Sequence, residues 1–225
     1  MKNPSINLLI WTFILLVSCS SSDNIQENNT EDNTIYTIKV KEYKTNLPLE
    51  GFITLAPDAL SPLGGYPGND DAGRELQKKR SREEMLEDFI AAYKCLKSHK
   101  DCNGHIGLVG FCFGGWIANM MAVKTPKLSA AVPYYGGQPT AEEAEKIKTS
   151  ILAHYAGLDT RVNEGWPAFE TILKKNKVEH TAYFYPGVNH GFHNNTTPRY
   201  DEKAATLSWK RTIDFFSEKL KKKLK

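Results

Sequence analysis

The stretch Gly110-Phe111-Cys112-Phe113-Gly114-Gly115 constrains what this chain can fold into more than any other. It follows the apolar run His105 to Val109 and precedes a helical-looking run, Trp116 to Val123. The spacing predicts a strand, a tight turn and a helix, with the Cys112 thiol at a strained, exposed tip. Glycine has a steric reason here. Side chains two residues either side of the cysteine would collide with the neighbouring strand or with the helix start. A helix N-terminus at that point lowers a thiol pKa and presents free N–H groups to a developing negative charge. By itself a Gly-x-Cys-x-Gly run is weak, because a buried cysteine ahead of a helix is usually packing.

With 225 residues and 40% hydrophobic content, the chain suits one globular domain with a sizeable core. A formal charge of +3 gives no argument for nucleic acid as a partner. The Lys-rich end (Lys219, Lys221, Lys222, Lys223, Lys225) closes a helical stretch, where cations complement the helix dipole. No C-x-x-C pair or Cys/His cluster suggests zinc or a redox dithiol, so no metal and no cofactor is expected.

At the N-terminus, Lys2 is followed by an apolar run from Leu8 to Val17, interrupted by Thr12. That is too short to span a membrane as a helix and fits the apolar part of a signal peptide. Leu16-Val17-Ser18-Cys19 is similar to a bacterial lipobox, in which the cysteine is lipidated and becomes the first mature residue. Residues 1–18 are therefore expected to be a lipoprotein signal peptide, 19–34 a flexible polar tether and 35–225 the folded domain. The expected location is extracytoplasmic, in a bacterial cell envelope, with acyl chains on Cys19 anchoring the domain to a membrane.

From Phe52 onward strands and helices alternate. Strands are predicted at Phe52 to Ala56, His105 to Val109, Ser129 to Tyr134, Ser150 to Tyr155 and Glu179 to Tyr185, after a short edge strand at Ile35 to Lys41. Helices are predicted at Asp70 to Lys79, Ser81 to Ser98, Thr140 to Lys146, Asn163 to Lys175 and Asp201 to Leu220. Ser81 and Glu84 form a capping-box signature. The last helix carries Ala204, Ala205, Leu207, Trp209, Ile213, Phe216 and Leu220 on its apolar side. Ser61 to Asn69, with its glycines and prolines, is a loop long enough to border a site. This alternation implies an α/β fold, a mostly parallel sheet with helices on both faces. In such sheets chemistry gathers at the strands' carboxyl ends.

Three residues stand just after predicted strands: Cys112, Asp159 and His190. Nucleophile, acid, base is the chain order of α/β-hydrolases. His190 would take the thiol proton, and Asp159 would fix the imidazole tautomer and stabilise its positive charge. Each has a plainer reading. Asp159 could be a helix N-cap. His193 competes with His190, although Gly191 permits the sharp turn that favours His190. His154 reads as a core histidine, and Cys95 and Cys102 as unpaired.

The combination of motifs resembles the dienelactone hydrolase family. The matching runs are Leu55-Ala56-Pro57-Asp58-Ala59-Leu60-Ser61-Pro62, Val109 to Gly115, Tyr134-Tyr135-Gly136, Gly157-Leu158-Asp159 and Asn189-His190-Gly191-Phe192, with Arg199-Tyr200-Asp201 leading into a Trp-bearing helix. The resemblance covers about Leu49 to Leu220. It implies an α/β-hydrolase fold and a cofactor-free Cys112, Asp159, His190 triad, with Phe113 supplying a main-chain oxyanion donor. The implied reaction is hydrolysis of a small-molecule ester or lactone through an acyl-enzyme. Two departures stand out. The family has a longer segment before its Leu-Ala-Pro-Asp strand, with early strands and a His-Glu loop that carries the second oxyanion donor. Here about thirty residues separate Cys19 from Leu49, with no His-Glu pair. The domain is thus expected to be N-terminally reduced, and a catalytically impaired hydrolase-like protein is the alternative. The family's substrate-binding arginines also lack clear counterparts, the position four after His190 being Asn194. A third reading, a thiol redox sensor built on Cys112, lacks a nearby resolving cysteine.

Overall fold

The computed structural model describes the backbone of residues 13–18 and, with side chains, residues 51–221. Its strands are β1 (Phe13–Ser18), β2 (Phe52–Leu55), β3 (Ile106–Phe111), β4 (Ala130–Tyr134), β5 (Ser150–Ala156) and β6 (His180–Tyr185). Its helices are α1 (Asp70–Gln77), α2 (Arg82–Ser98), α3 (Phe113–Lys124), α4 (Ala141–Ala144), α5 (Thr160–Asn163), α6 (Trp166–Lys175) and α7 (Glu202–Leu220). The six strands form one sheet in the order β2-β1-β3-β4-β5-β6. Strands β3 to β6 pair in parallel, as strand–helix–strand crossovers require. Strand β1 is antiparallel to both its neighbours.

Every residue of β3 except its last and every residue of β4 is buried, which explains their near-continuous apolar runs. One core layer packs α2, α3 and α6 on the sheet, around Phe89, Ile117, Met121 and Leu173. The other packs α7, through Phe216 and Leu220, on Val109, Val132 and Tyr134. Helix α3 buries nine of its twelve residues, so it is apolar on nearly every side and lies within the core. Helix α2 begins at the expected capping box, Ser81 and Glu84 each satisfying the other's main-chain N–H. Behind it, Arg80 pairs with Asp88 and donates to the Ala59 carbonyl, tying the loop after β2 to α2.

Three sequence expectations change. Helix α3 starts at Phe113, directly after the cysteine, rather than at Trp116. The helix expected over Asn163 to Lys175 starts only at Trp166, with Pro167 in its first turn, while Asn163 ends a separate short helix, α5. On α7, Leu207 is exposed, while Ser208 and Thr212 are buried. The run assigned to the signal peptide contributes a sheet strand, β1. The edge strand at Ile35 to Lys41, the tether 19–34 and Cys19 lie outside the described residues. Among the described residues, no helix is long and apolar enough to cross a membrane.

Candidate active site

The turn after β3 places Cys112 at φ 57°, ψ −112°, a conformation that few side chains tolerate. Backbone crowding around it explains the glycines. A methyl on Gly110 would lie 2.0 Å from the Gly114 carbonyl oxygen. A methyl on Gly115 would lie 2.6 Å from the Tyr134 oxygen, and one on Gly136 would lie 2.2 Å from the Gly115 carbonyl carbon. The glycine flanks expected from the sequence, Gly110 and Gly114, therefore close on each other, while Gly115 closes on Gly136 just after β4. The Cys112 N–H donates to the Tyr134 carbonyl at 3.0 Å, extending the β3–β4 ladder to the thiol-bearing residue.

Strand β5 ends at Ala156, and a turn brings Asp159 to the start of α5. Asp159 occupies the N-cap position but makes no side-chain cap bond. Its buried carboxylate instead accepts from His190 Nδ1, at 2.6 Å. His190 comes from the loop after β6. That loop is held by the Leu158 N–H on the Val188 carbonyl, by the buried Phe192 ring and by a positive φ at Gly191. His190 Nε2 lies 2.9 Å from Cys112 Sγ. With the Nδ1 proton facing Asp159, the thiol proton faces Nε2, so one directed chain runs from thiol to imidazole to carboxylate.

His193 is elsewhere. Its ring packs on Phe111, Tyr134 and Trp209, and burial depresses its pKa to about 4. His154 is a core residue, as expected, with Nδ1 2.9 Å from the Tyr185 hydroxyl and Nε2 3.1 Å from Thr212 Oγ1. Cys95 and Cys102 are free thiols.

Burial pushes the Cys112 thiol pKa up; a hydrogen bond from the Phe113 N–H, Arg161 and Arg199 oppose that, and Asp159 adds to it. Deprotonation is therefore best coupled to attack, with His190 as the acceptor. Three contributors to the site went unrecognised in the sequence. Tyr135, at φ 36° and fully buried, sets its ring 4.8 Å from that of His190. Arg199 holds its guanidinium beside Gly191, its Cζ 3.7 Å from where a Gly191 methyl would stand. Arg161 lies in α5, two residues after Asp159. Tyr135 and Arg199 stand in runs that carry the family resemblance but had no role assigned to them there; nothing local marks Arg161. Among the described residues, no group of three His, Cys, Asp or Glu side chains is arranged to hold a metal.

Comparison with known proteins agrees with this architecture. The family model for the dienelactone hydrolase family matches residues 34–220. The chain is 35% identical over 195 residues to a "Putative carboxymethylenebutenolidase" of Aquifex aeolicus, the match covering 81% of each. It is 34% identical over 192 residues to Protein usf of Aquifex pyrophilus, covering 80% of this chain and 81% of that one. In fold it is similar to a dienelactone hydrolase-like promiscuous phosphotriesterase from metagenomic libraries, with TM-score 0.63 and 23% identity over 77% of each chain. Through residues 34–220 this chain belongs to the dienelactone hydrolase family.

Proposed function

We propose that the protein hydrolyses a carboxylic ester or lactone by nucleophilic catalysis through Cys112, His190 and Asp159. The observation that carries this reading is the unbroken chain from Sγ to Nε2 at 2.9 Å and from Nδ1 to the Asp159 carboxylate at 2.6 Å. His190 takes the thiol proton as the sulfur attacks the carbonyl carbon, and the resulting oxyanion faces the Phe113 N–H at the start of α3. Collapse breaks the ester C–O bond, and the leaving alkoxide receives the proton from His190. Water, deprotonated by the same imidazole, then attacks the thioester and frees the acid and the thiol. Asp159 stabilises the imidazolium in both halves. The name of the Aquifex aeolicus relative favours a lactone, in which the leaving alkoxide stays tethered to the acyl group.

The test is turnover of p-nitrophenyl acetate and of a simple γ-lactone by the full chain, against Cys112→Ala. A fall of about 10⁴-fold or more in kcat/KM is expected. Equal turnover by the two proteins sinks the assignment. A catalytically impaired hydrolase of the same type is the second reading, favoured by the lack of any His-Glu pair in the sequence ahead of Leu55, where the family carries its second oxyanion donor. Lacking one oxyanion donor costs about 100- to 1,000-fold in rate.

Lipid anchoring is a separate proposal, supported by Leu16-Val17-Ser18-Cys19. Acyl mass on Cys19 and membrane partitioning, both lost in Cys19→Ser, are its expected outcomes. That use and strand β1 draw on the same residues.

A further inference from the structure

Strand β1 is out of keeping with the rest of the sheet. It lies outside residues 34–220, which carry the family likeness, yet holds an interior position between β2 and β3. It also runs against every other strand: antiparallel to β2 over four residue pairs and to β3 over five, while β3 to β6 run parallel. Adjacent strands sit about 4.8 Å apart. Without β1, strands β2 and β3 would stand about two such spacings apart, each with a row of unpaired main-chain groups facing the gap.

The occupant is unusual too. Ser18 pairs with Phe52, so residues 19–51 leave and re-enter the sheet at the same end. A two-residue turn would join such neighbours. The 33 residues between Ser18 and Phe52 are far more than such a turn, so the register of β1 rests on its ladders. Phe13-Ile14-Leu15-Leu16-Val17 is apolar without alternation, the pattern of a strand covered on both faces. Its neighbour β2 needs it. Phe52 is buried in the α7 layer, against Phe216, while Leu55 is buried in the opposite layer with α2 and α3. Strand β2 thus closes both layers at their margin, and its ladder to the sheet runs through β1.

We propose that the space between β2 and β3 is a strand-receiving slot, filled in cis by the apolar run Phe13–Ser18, and that the six-stranded sheet belongs to the uncut chain. The slot accepts an extended, uninterruptedly apolar segment running antiparallel to both walls. Cutting the chain ahead of Cys19 takes that segment away. Leader and strand are then exclusive uses of one stretch, and a chain that has lost it has lost the join between β2 and β3.

The inference does not rest on the catalytic reading, and its test reads structure alone. In the full-length protein, amide hydrogen exchange of residues 13–18 is expected to be slowed about 1,000-fold relative to a free peptide, alongside residues 106–111. Leu16 faces Thr54 directly in the ladder, so Leu16→Cys with Thr54→Cys is expected to form a disulfide on mild oxidation, identified by peptide mass. The offset pair Val17→Cys with Thr54→Cys, one residue out of that register, is not expected to form one. Slow exchange together with the 16–54 bond alone establishes the slot. Free-peptide exchange at 13–18, or failure of the 16–54 bond, overturns it. So does a protein that begins at Cys19 yet keeps residues 52–55 and 106–111 protected.

Discussion

The two faces of the sheet bury different chemistry. Under α2, α3 and α6 the core is dominated by apolar side chains such as Phe89, Leu108, Ile117 and Met121. Under α7 the same sheet carries a connected polar network. Thr212 Oγ1 lies 2.7 Å from the Tyr134 hydroxyl and 3.1 Å from His154, and His154 bonds Tyr185, which accepts from Arg211 at 3.1 Å. The Arg211 guanidinium also lies 3.6 Å over the Tyr183 ring. Apolar packing gives cohesion with little direction, whereas hydrogen bonds among buried groups fix orientation. The polar face is the one beneath the loop that carries His190: Tyr134 packs against Phe192 and His193, the second and third residues after His190. Cohesion is concentrated on one side of the sheet and orientation on the other.

The largest expected effect falls on the apolar side, where helix and sheet touch backbone to backbone. Gly115→Ala would push a methyl to 2.6 Å from the Tyr134 oxygen and 2.7 Å from the Gly136 Cα. A loss of about 4 kcal/mol or more in urea unfolding is expected. Gly137→Ala, whose methyl would meet only the Trp116 ring, at 3.7 Å, should cost under about 1 kcal/mol. Equal costs would break the picture of a glycine interlock.

The next effect tests orientation. Thr212→Val leaves His154 Nε2 and the Tyr134 hydroxyl each short of a partner, at a cost of about 1–3 kcal/mol. Ester hydrolysis should fall with it, whereas Ile117→Val on the apolar face should cost about 1 kcal/mol and leave turnover unchanged. If both variants keep full turnover, the polar face has no orienting role.

Acid should also separate the faces. Burial holds His154 well below the usual histidine pKa and His193 at about 4. In the unfolded chain both titrate near 6.5, so below that pH the unfolded state takes up protons that the folded state refuses. Their contribution is complete above pH 6.5 and is lost as pH falls, through about pH 4 for His193 and further for His154. The slope reaches about 1.4 kcal/mol per pH unit for each histidine. Urea midpoints at pH 7.5 and 5 check this, and a midpoint that does not fall would refute it. The smallest effect is electrostatic. Arg199→Gln removes a cation that lowers the Cys112 pKa, so iodoacetamide should alkylate Cys112 a few-fold more slowly at pH 8.

Much of this molecule was legible in its residues. The apolar runs of β3 to β5 read as buried strands because they are buried on both faces, and α2 announced itself through Ser81 and Glu84. Cys112, Asp159 and His190 were singled out because each follows a predicted strand, and the structure brings their side chains together. The buried network was not, since a stripe of apolar residues at helical spacing points to Leu207 and passes over Ser208 and Thr212. A small hydroxyl side chain enters a core when partners such as His154 and Tyr134 wait across the sheet, and those lie 58 and 78 residues away along the chain. The separate short helix α5 and the start of α6 only at Trp166 were missed because Trp166, Phe169 and Leu173, at helical spacing, draw the stretch from Asn163 onward into one apparent helix. Phe13 to Val17 was ambiguous in principle, since a short apolar run serves a leader and a two-sided strand equally well.

The hydrogen bond from the Cys112 amide to the Tyr134 carbonyl has a mechanical consequence. It hangs the tip of the turn from the neighbouring strand, and Tyr135, one residue further along that strand's path, lies against the His190 imidazole that faces the thiol. Sulfur and acceptor thus share one support. A displacement of β4 would push both in the same direction, so the contact between them is less exposed to movement of that strand than either position alone.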